Sequence, residues 1–261
     1  MKPSSVIYSL SFLLLSLGAA LSGVSLHAEE SASQGRTLLD WTEQAGSDSA
    51  KSPSSDIKFF VRHGAQPIIA TAQTTPPSPF SNGSAALYIP PSGNAEQAEA
   101  VAIDFDPFLY QHSPARGWIE LEFAVQNSIF DISLGVDSTN MESPSTMTQS
   151  SVGKKLFTAY FFPQENRTIL LRRDSEQGGG DPQRIPLSRG IIPGQPHVFR
   201  ISWDWKSDMP GIRFQLDGEP LSIKGGDETL PVDIKSIEKG VDQLVIFLRS
   251  GDFLGKITAS E

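Results

Sequence analysis

The chain has 261 residues, no cysteine, and 30 acidic against 21 basic side chains, a formal net charge of −9. Without cysteine, disulfides, thiolate metal sites and thiol catalysis are excluded; the acidic balance repels phosphate backbones, so no nucleic-acid partner is expected. Nineteen prolines and 22 glycines interrupt the chain too often for long helices.

Residues 1–28 read as a secretory signal peptide. Lys2 is the lone charge ahead of Glu29, and it precedes an apolar run over 6–20. That run is shorter than the roughly 20 residues of a bilayer span, and small residues around Ala20 and Ala28 offer cleavage points. No second such run follows, so no membrane span is expected after cleavage, and the mature chain is expected to be secreted or periplasmic. Residues 29–55 form a leader rich in Ser, Ala, Gly and Asp, with a first strand at 37–41.

From 56 to 261 short apolar stretches recur with a period of two, the signature of strands with one buried face. Ile57, Phe59 and Val61 share a face, as do Val101, Ile103 and Phe105, with Asp104 and Asp106 turned away. Ile119, Leu121, Phe123 and Val125 form the buried side of the next strand, and Phe130, Ile132, Leu134 and Val136 that of its successor. The polar segment 137–153 reads as a rim loop, and residues 74–79 as a second extended loop. Strands follow near 168–173 and 184–187, separated by a Gly178-Gly-Gly-Asp-Pro182 turn. A hairpin then pairs Phe199, Ile201, Trp203 and Trp205 with Ile212, Phe214 and Leu216. Asp217-Gly218 makes the next tight turn, where both residues need positive φ. The one predicted helix is a turn or two over 232–239. So many short strands predict an all-β, two-sheet antiparallel sandwich forming one domain.

Residues 196–205 (PHVFRISWDW) and 211–221 (GIRFQLDGEPL) carry a His-x-φ-x-φ-x-Trp hairpin followed by φ-x-φ-x-φ-Asp-Gly. This resembles the hairpin of laminin G-like and concanavalin A-like jelly-roll domains, and 244–257 is similar to that family's closing strands. In Gly255-Lys-Ile-Thr258, threonine stands where the family usually has aspartate. The resemblance implies a jelly roll and, since this fold hosts lectins, adhesion modules, glycosidases and lyases, a glycan-related role.

Candidate chemistry is sparse. Trp118, Glu120 and Glu122 share the non-core side of one strand, placing an aromatic beside two carboxylates. Sugar cleavage needs an acid and a base or nucleophile about 5–9 Å apart. Glucanases of the resembling family carry a third carboxylate on that strand, which Glu120-Leu-Glu122 lacks; a solvated surface is the competing reading. Trp118 and Tyr160 are the candidate platforms for a pyranose ring. Asp104, Asp106, Asp131 and Asp137 fall at strand ends, where carboxylates and carbonyls can hold calcium. No other cofactor is expected. His63, His112 and His197 have no metal-ligand spacing, and His197 reads as structural. Asn82-Gly-Ser and Asn166-Arg-Thr are glycosylation sequons that matter only in a eukaryotic secretory route.

These features favour a noncatalytic exported module that binds glycans or a cell-envelope polymer. Two alternatives remain. One is a polysaccharide-active hydrolase or lyase using Glu120 and Glu122; the other is a structural or adhesion protein without a small ligand.

Overall fold

The structure is a computed structural model describing residues 35–47, 50–51, 57–61, 66–91, 101–104, 115–126, 129–136, 154–163, 168–173, 183–223, 226–232 and 241–260. The expected signal peptide, the 137–153 loop, the 178–182 turn and the 233–239 part of the expected helix lie outside these residues. So do Asp106, Asp137, His63, His112 and Asn166.

Alternating residues build two antiparallel sheets. Numbering strands in chain order, the nine-stranded sheet runs β13 (Glu219–Pro220), β12 (Gly211–Leu216), β11 (His197–Asp204), β6 (Arg116–Ala124), β16 (Phe253–Ser260), β4 (Ala86–Tyr88) and β3 (Ile68–Ala70). Two strands lie off this path: β14 (Thr229–Pro231) pairs with β12, and β1 (Gly35–Leu39) with β16. The seven-stranded sheet runs β10 (Gln183–Pro186), β9 (Thr168–Arg173), β8 (Lys154–Phe162), β7 (Phe130–Val136), β15 (Val241–Leu248), β5 (Val101–Asp104) and β2 (Lys58–Val61).

The first strand thus spans Gly35–Leu39 rather than 37–41. Trp41 leaves the ladder for a short 3-10 turn, Thr42–Gln44, yet is fully buried. It and Leu39 join the main core, so part of the polar leader is built into the sandwich.

Side chains between the sheets alternate as the sequence predicts. Ile119, Leu121 and Phe123 of β6 and Phe199 and Ile201 of β11 meet Phe130, Ile132 and Leu134 of β7 and Phe157 and Phe161 of β8. Each is fully buried, worth about 1.5–3 kcal/mol apiece in removed apolar surface. The Phe161 ring meets Phe199 edge-on at 5.1 Å and Phe123 at 4.9 Å, locking one sheet to the other. Trp203 belongs to this core and Trp205 packs against it. In the hairpin turn, Asp217 has φ 55° and Gly218 φ 81°, the pair of positive values that Asp-Gly supplies at low strain.

A smaller apolar cluster sits elsewhere: Ala70, Phe80, Ala86, Tyr88, Ala124 and Phe253. Phe80, on the loop between β3 and β4, closes it, and Tyr88 stacks on Phe253 at 4.4 Å.

Candidate functional site

The register separates the sequence-derived candidates onto two outer faces. Trp118, Glu120 and Glu122 of β6 lie on the nine-stranded sheet, opposite Ser202, Arg200 and Val198 of β11. Tyr160 and Asp131, by contrast, face each other across β8 and β7 of the seven-stranded sheet. They alternate with the core residues Phe161 and Phe130, so they point away from the sandwich interior.

On the nine-stranded sheet the groups satisfy one another. The Arg200 guanidinium lies 4.3 Å from the Trp118 ring centroid, over the aromatic face. Its Nη1 also stands 3.9 Å from Glu120 Oε2. On the other flank, a Cβ built on Gly35 would come within 2.6 Å of Trp118 Cη2, so only glycine leaves room for that indole. Glu122 Oε2 accepts the Lys256 backbone N–H at 3.3 Å, and Gly255 is equally tight against it. At the strand end, the Asp204 carboxyl takes the Arg116 Nε–H at 2.8 Å and the backbone N–H groups of Lys206 and Ser207. Partial burial alone would raise this carboxyl, but these bonds and the arginine charge outweigh it and hold Asp204 below the ordinary aspartate value. The Trp118 face that a sugar would use is therefore taken by Arg200.

The seven-stranded sheet is different in kind. Asp131 and Ser133 of β7 and Thr158 of β8 are buried polar residues on its outer side. The Ser133 and Thr158 hydroxyls share a 2.9 Å hydrogen bond across the strands. Arg249, just past β15, donates from Nη2 to Asp131 Oδ2 at 3.2 Å, and its backbone N–H donates to the buried Asp252 at 2.8 Å. Beside this row, Tyr160 and Phe162 are half-buried, alternate with the core Phe161, and hold their ring centroids 6.2 Å apart. Leu170 stands opposite Tyr160 on β9. Neighbouring half-buried rings offer a flat apolar surface of the kind on which the C–H face of a sugar ring can rest. Sequence reading found Tyr160 and passed over Phe162, although its even spacing from Tyr160 on one strand was the available signal.

Two of the four calcium candidates, Asp104 and Asp131, lie within the described residues. Asp104 pairs in register with Val245 while Asp131 pairs with Phe247, so two strands and two different rows carry them. Among the described residues, no group of three or more His, Asp or Glu could hold a metal ion.

His197 is buried in a structural latch. Its Nε2 accepts the Ile192 N–H at 2.9 Å, which leaves Nδ1 protonated to donate to Asp217 Oδ2 at 2.9 Å. Asp217 Oδ1 in turn accepts the Val198 N–H, tying the loop before β11 to the turn after β12. Among the described residues no helix is long and apolar enough to cross a membrane.

No family model matches the chain, and no curated protein matches its sequence. Solved structures match by shape. The carbohydrate recognition domain of Emp46p, in its potassium-bound form, superposes with TM-score 0.51 at 8% identity, covering 85% of this chain and 95% of that one. A point mutant of the same domain gives TM-score 0.50 at 9% identity, covering 85% and 94%. An endo-β-1,4-glucuronan lyase from the fungus Trichoderma reesei scores 0.47 at 9% identity, covering 82% and 93%. With two antiparallel sheets enclosing one phenylalanine-rich core, the chain has the concanavalin A-like jelly-roll fold.

Proposed function

We propose that this chain is an exported, noncatalytic jelly-roll module that binds glycan on the outer face of its seven-stranded sheet. The observation that carries the reading is the pair of half-buried rings, Tyr160 and Phe162, set 6.2 Å apart on the outer side of β8. Stacking gives a sugar ring apolar contact, and the buried row, bonded within itself and to Arg249, holds the strands beneath the rings in place. The fold likeness to a carbohydrate recognition domain is consistent with this reading.

The noncatalytic part rests on the opposite sheet. Glu120 faces Arg200 and Glu122 accepts a backbone N–H, so both carboxylates have structural partners. Incubating polysaccharides with wild type, Glu120→Gln and Glu122→Gln should release no reducing sugar in any case. Release by wild type that both variants abolish would make the chain an enzyme.

A glycan array, followed by calorimetry on its best ligand, tests binding. Tyr160→Ala and Phe162→Ala should each weaken affinity about tenfold, the worth of a lost stacking contact near 1.4 kcal/mol. A chain that binds no glycan, or binds equally well without both rings, refutes the reading. Export through residues 1–28 is part of the proposal, and the intact mass of the mature protein checks it.

A further inference from the structure

The loop between β10 and β11 is tied down at several points. At its start the Ser188 N–H donates to Ser222 O and the Ser222 N–H to Ser188 Oγ, both at 2.9 Å. Further on, the Gln195 N–H donates to Ile192 O at 3.2 Å and closes a turn over Ile192–Gln195. Gly194, with φ 73°, fits the third place of that turn and donates its own N–H to Val125 O at 2.8 Å. One more anchor is the Ile192 N–H, which ends on His197 Nε2 at 2.9 Å. The other acceptors in this set are carbonyls and a hydroxyl. An imidazole differs from them, because it can gain a proton near neutral pH and lose the lone pair that accepts.

The surroundings make that change consequential. His197 is buried, its ring centroid 6.0 Å from that of Phe123 on β6, so a new partner must come from the protein itself. Nε2 already stands 3.3 Å from Ile192 O, an acceptor within reach once Nε2 carries hydrogen. On the other side Nδ1 donates to Asp217 Oδ2 at 2.9 Å, a bond that gains charge assistance when the ring becomes cationic. Few charges border the ring among the described residues. The turn after β12 brings Asp217, with Glu219 exposed opposite Leu216. The loop itself brings Arg189, whose Nη1 donates to Leu216 O at 3.4 Å. Glu122 of β6, beside Phe123, turns to the outer face, where it takes the Lys256 N–H.

We infer that His197 is a proton-operated switch for this loop. When the ring takes a second proton from solvent, Nε2 changes from acceptor of the Ile192 N–H to donor towards Ile192 O. The Ile192 N–H then faces another N–H and leaves the ring, so the turn at 192–195 shifts, while the Asp217 half of the latch tightens. Because the Ile192 side chain is 40% exposed, the switch alters an apolar spot on the surface.

NMR of the isotope-labelled protein between about pH 8 and about pH 5 tests this, the range in which an imidazole commonly titrates. The His197 ring signals, identified by their loss in His197→Gln, report its protonation. Amide hydrogen exchange, corrected for the intrinsic pH dependence of the reaction, reports the two halves of the latch. Protection of the Ile192 amide should fall about tenfold in step with the ring titration, the order of one lost hydrogen bond. The Val198 amide, which donates to Asp217 Oδ1 at 2.9 Å, should keep its protection. In His197→Gln the pH dependence at Ile192 should vanish. A ring that does not titrate in this range, or Ile192 protection that ignores the titration, overturns the inference. So does pH dependence that survives in His197→Gln. Loss of protection at Ile192 and Val198 together overturns it as well, since the whole latch would then be opening rather than changing partners. Should His197→Gln not fold, comparison of these two amides in the wild type decides the matter alone.

Discussion

Phe161 and Phe162 are adjacent and chemically identical, yet the fold gives them opposite fates. Phe161 is fully buried, with its ring against Phe123, Phe130 and Phe199. Two of those partners belong to the other sheet, so truncation opens a cavity where the layers meet. Phe→Ala at such a site costs about 3–5 kcal/mol, and the several ring contacts place the expectation near 4 kcal/mol. At about 2–4 °C per kcal/mol for a domain of this size, the melting temperature should drop by roughly 8–16 °C. Phe162→Ala removes only a half-buried ring from the outer face and should cost less than about 1 kcal/mol. Urea titration followed by tryptophan fluorescence reads both values, and unchanged slopes would confirm that the same surface unfolds. A larger loss at Phe162 than at Phe161 would mean β8 is shifted by one residue. Every side chain assigned to its two faces would then be exchanged, and the proposed site with them.

Three further expectations follow from local geometry. A Cβ on Gly117 would approach Trp203 Cζ2 to 2.5 Å, so Gly117→Ala should destabilise by about 1–3 kcal/mol in chemical denaturation; a neutral result would mean Trp203 is not held where the core places it. The Asp204 carboxyl is depressed in the folded chain, so its contribution is present above the ordinary value of 3.8 and lost as pH falls through the lower folded value. Wild type should therefore outlast Asp204→Asn at pH 7 and converge with it in acid, and a gap that widens on acidification contradicts the assignment. His197→Ala leaves the Ile192 N–H and the Asp217 carboxylate short of a partner, at a cost of about 1–3 kcal/mol. Hydrogen exchange at the Ile192 amide should accelerate in that variant, and unchanged protection there would discount the latch.

The fold was legible because its strands obey strict alternation. The β6 and β11 faces, the Asp217-Gly218 turn and the burial of Trp203 all follow from period two and from turn chemistry. What failed to show was which strands are neighbours. Trp118 and Tyr160 looked equivalent as aromatic platforms, yet they occupy different sheets, and only register reveals Arg200 lying over the first. The leader's first strand was legible near 37–41, but not its exact bounds, because they are set by pairing with the distant β16, and Trp41 is buried just beyond it.

The last two strands in chain order are not at the margins of the sheets. β15 lies between β7 and β5, and β16 between β6 and β4, so each sheet is split until its final member arrives. A ribosome-bound chain lacking residues 241–260 therefore presents five unpaired strand borders, on β7, β5, β6, β4 and β1, together with the apolar surfaces they carry. Assembly must wait until β15 and β16 have been made, and a chain cut short before residue 241 would be a client for chaperones and proteases rather than a smaller working domain.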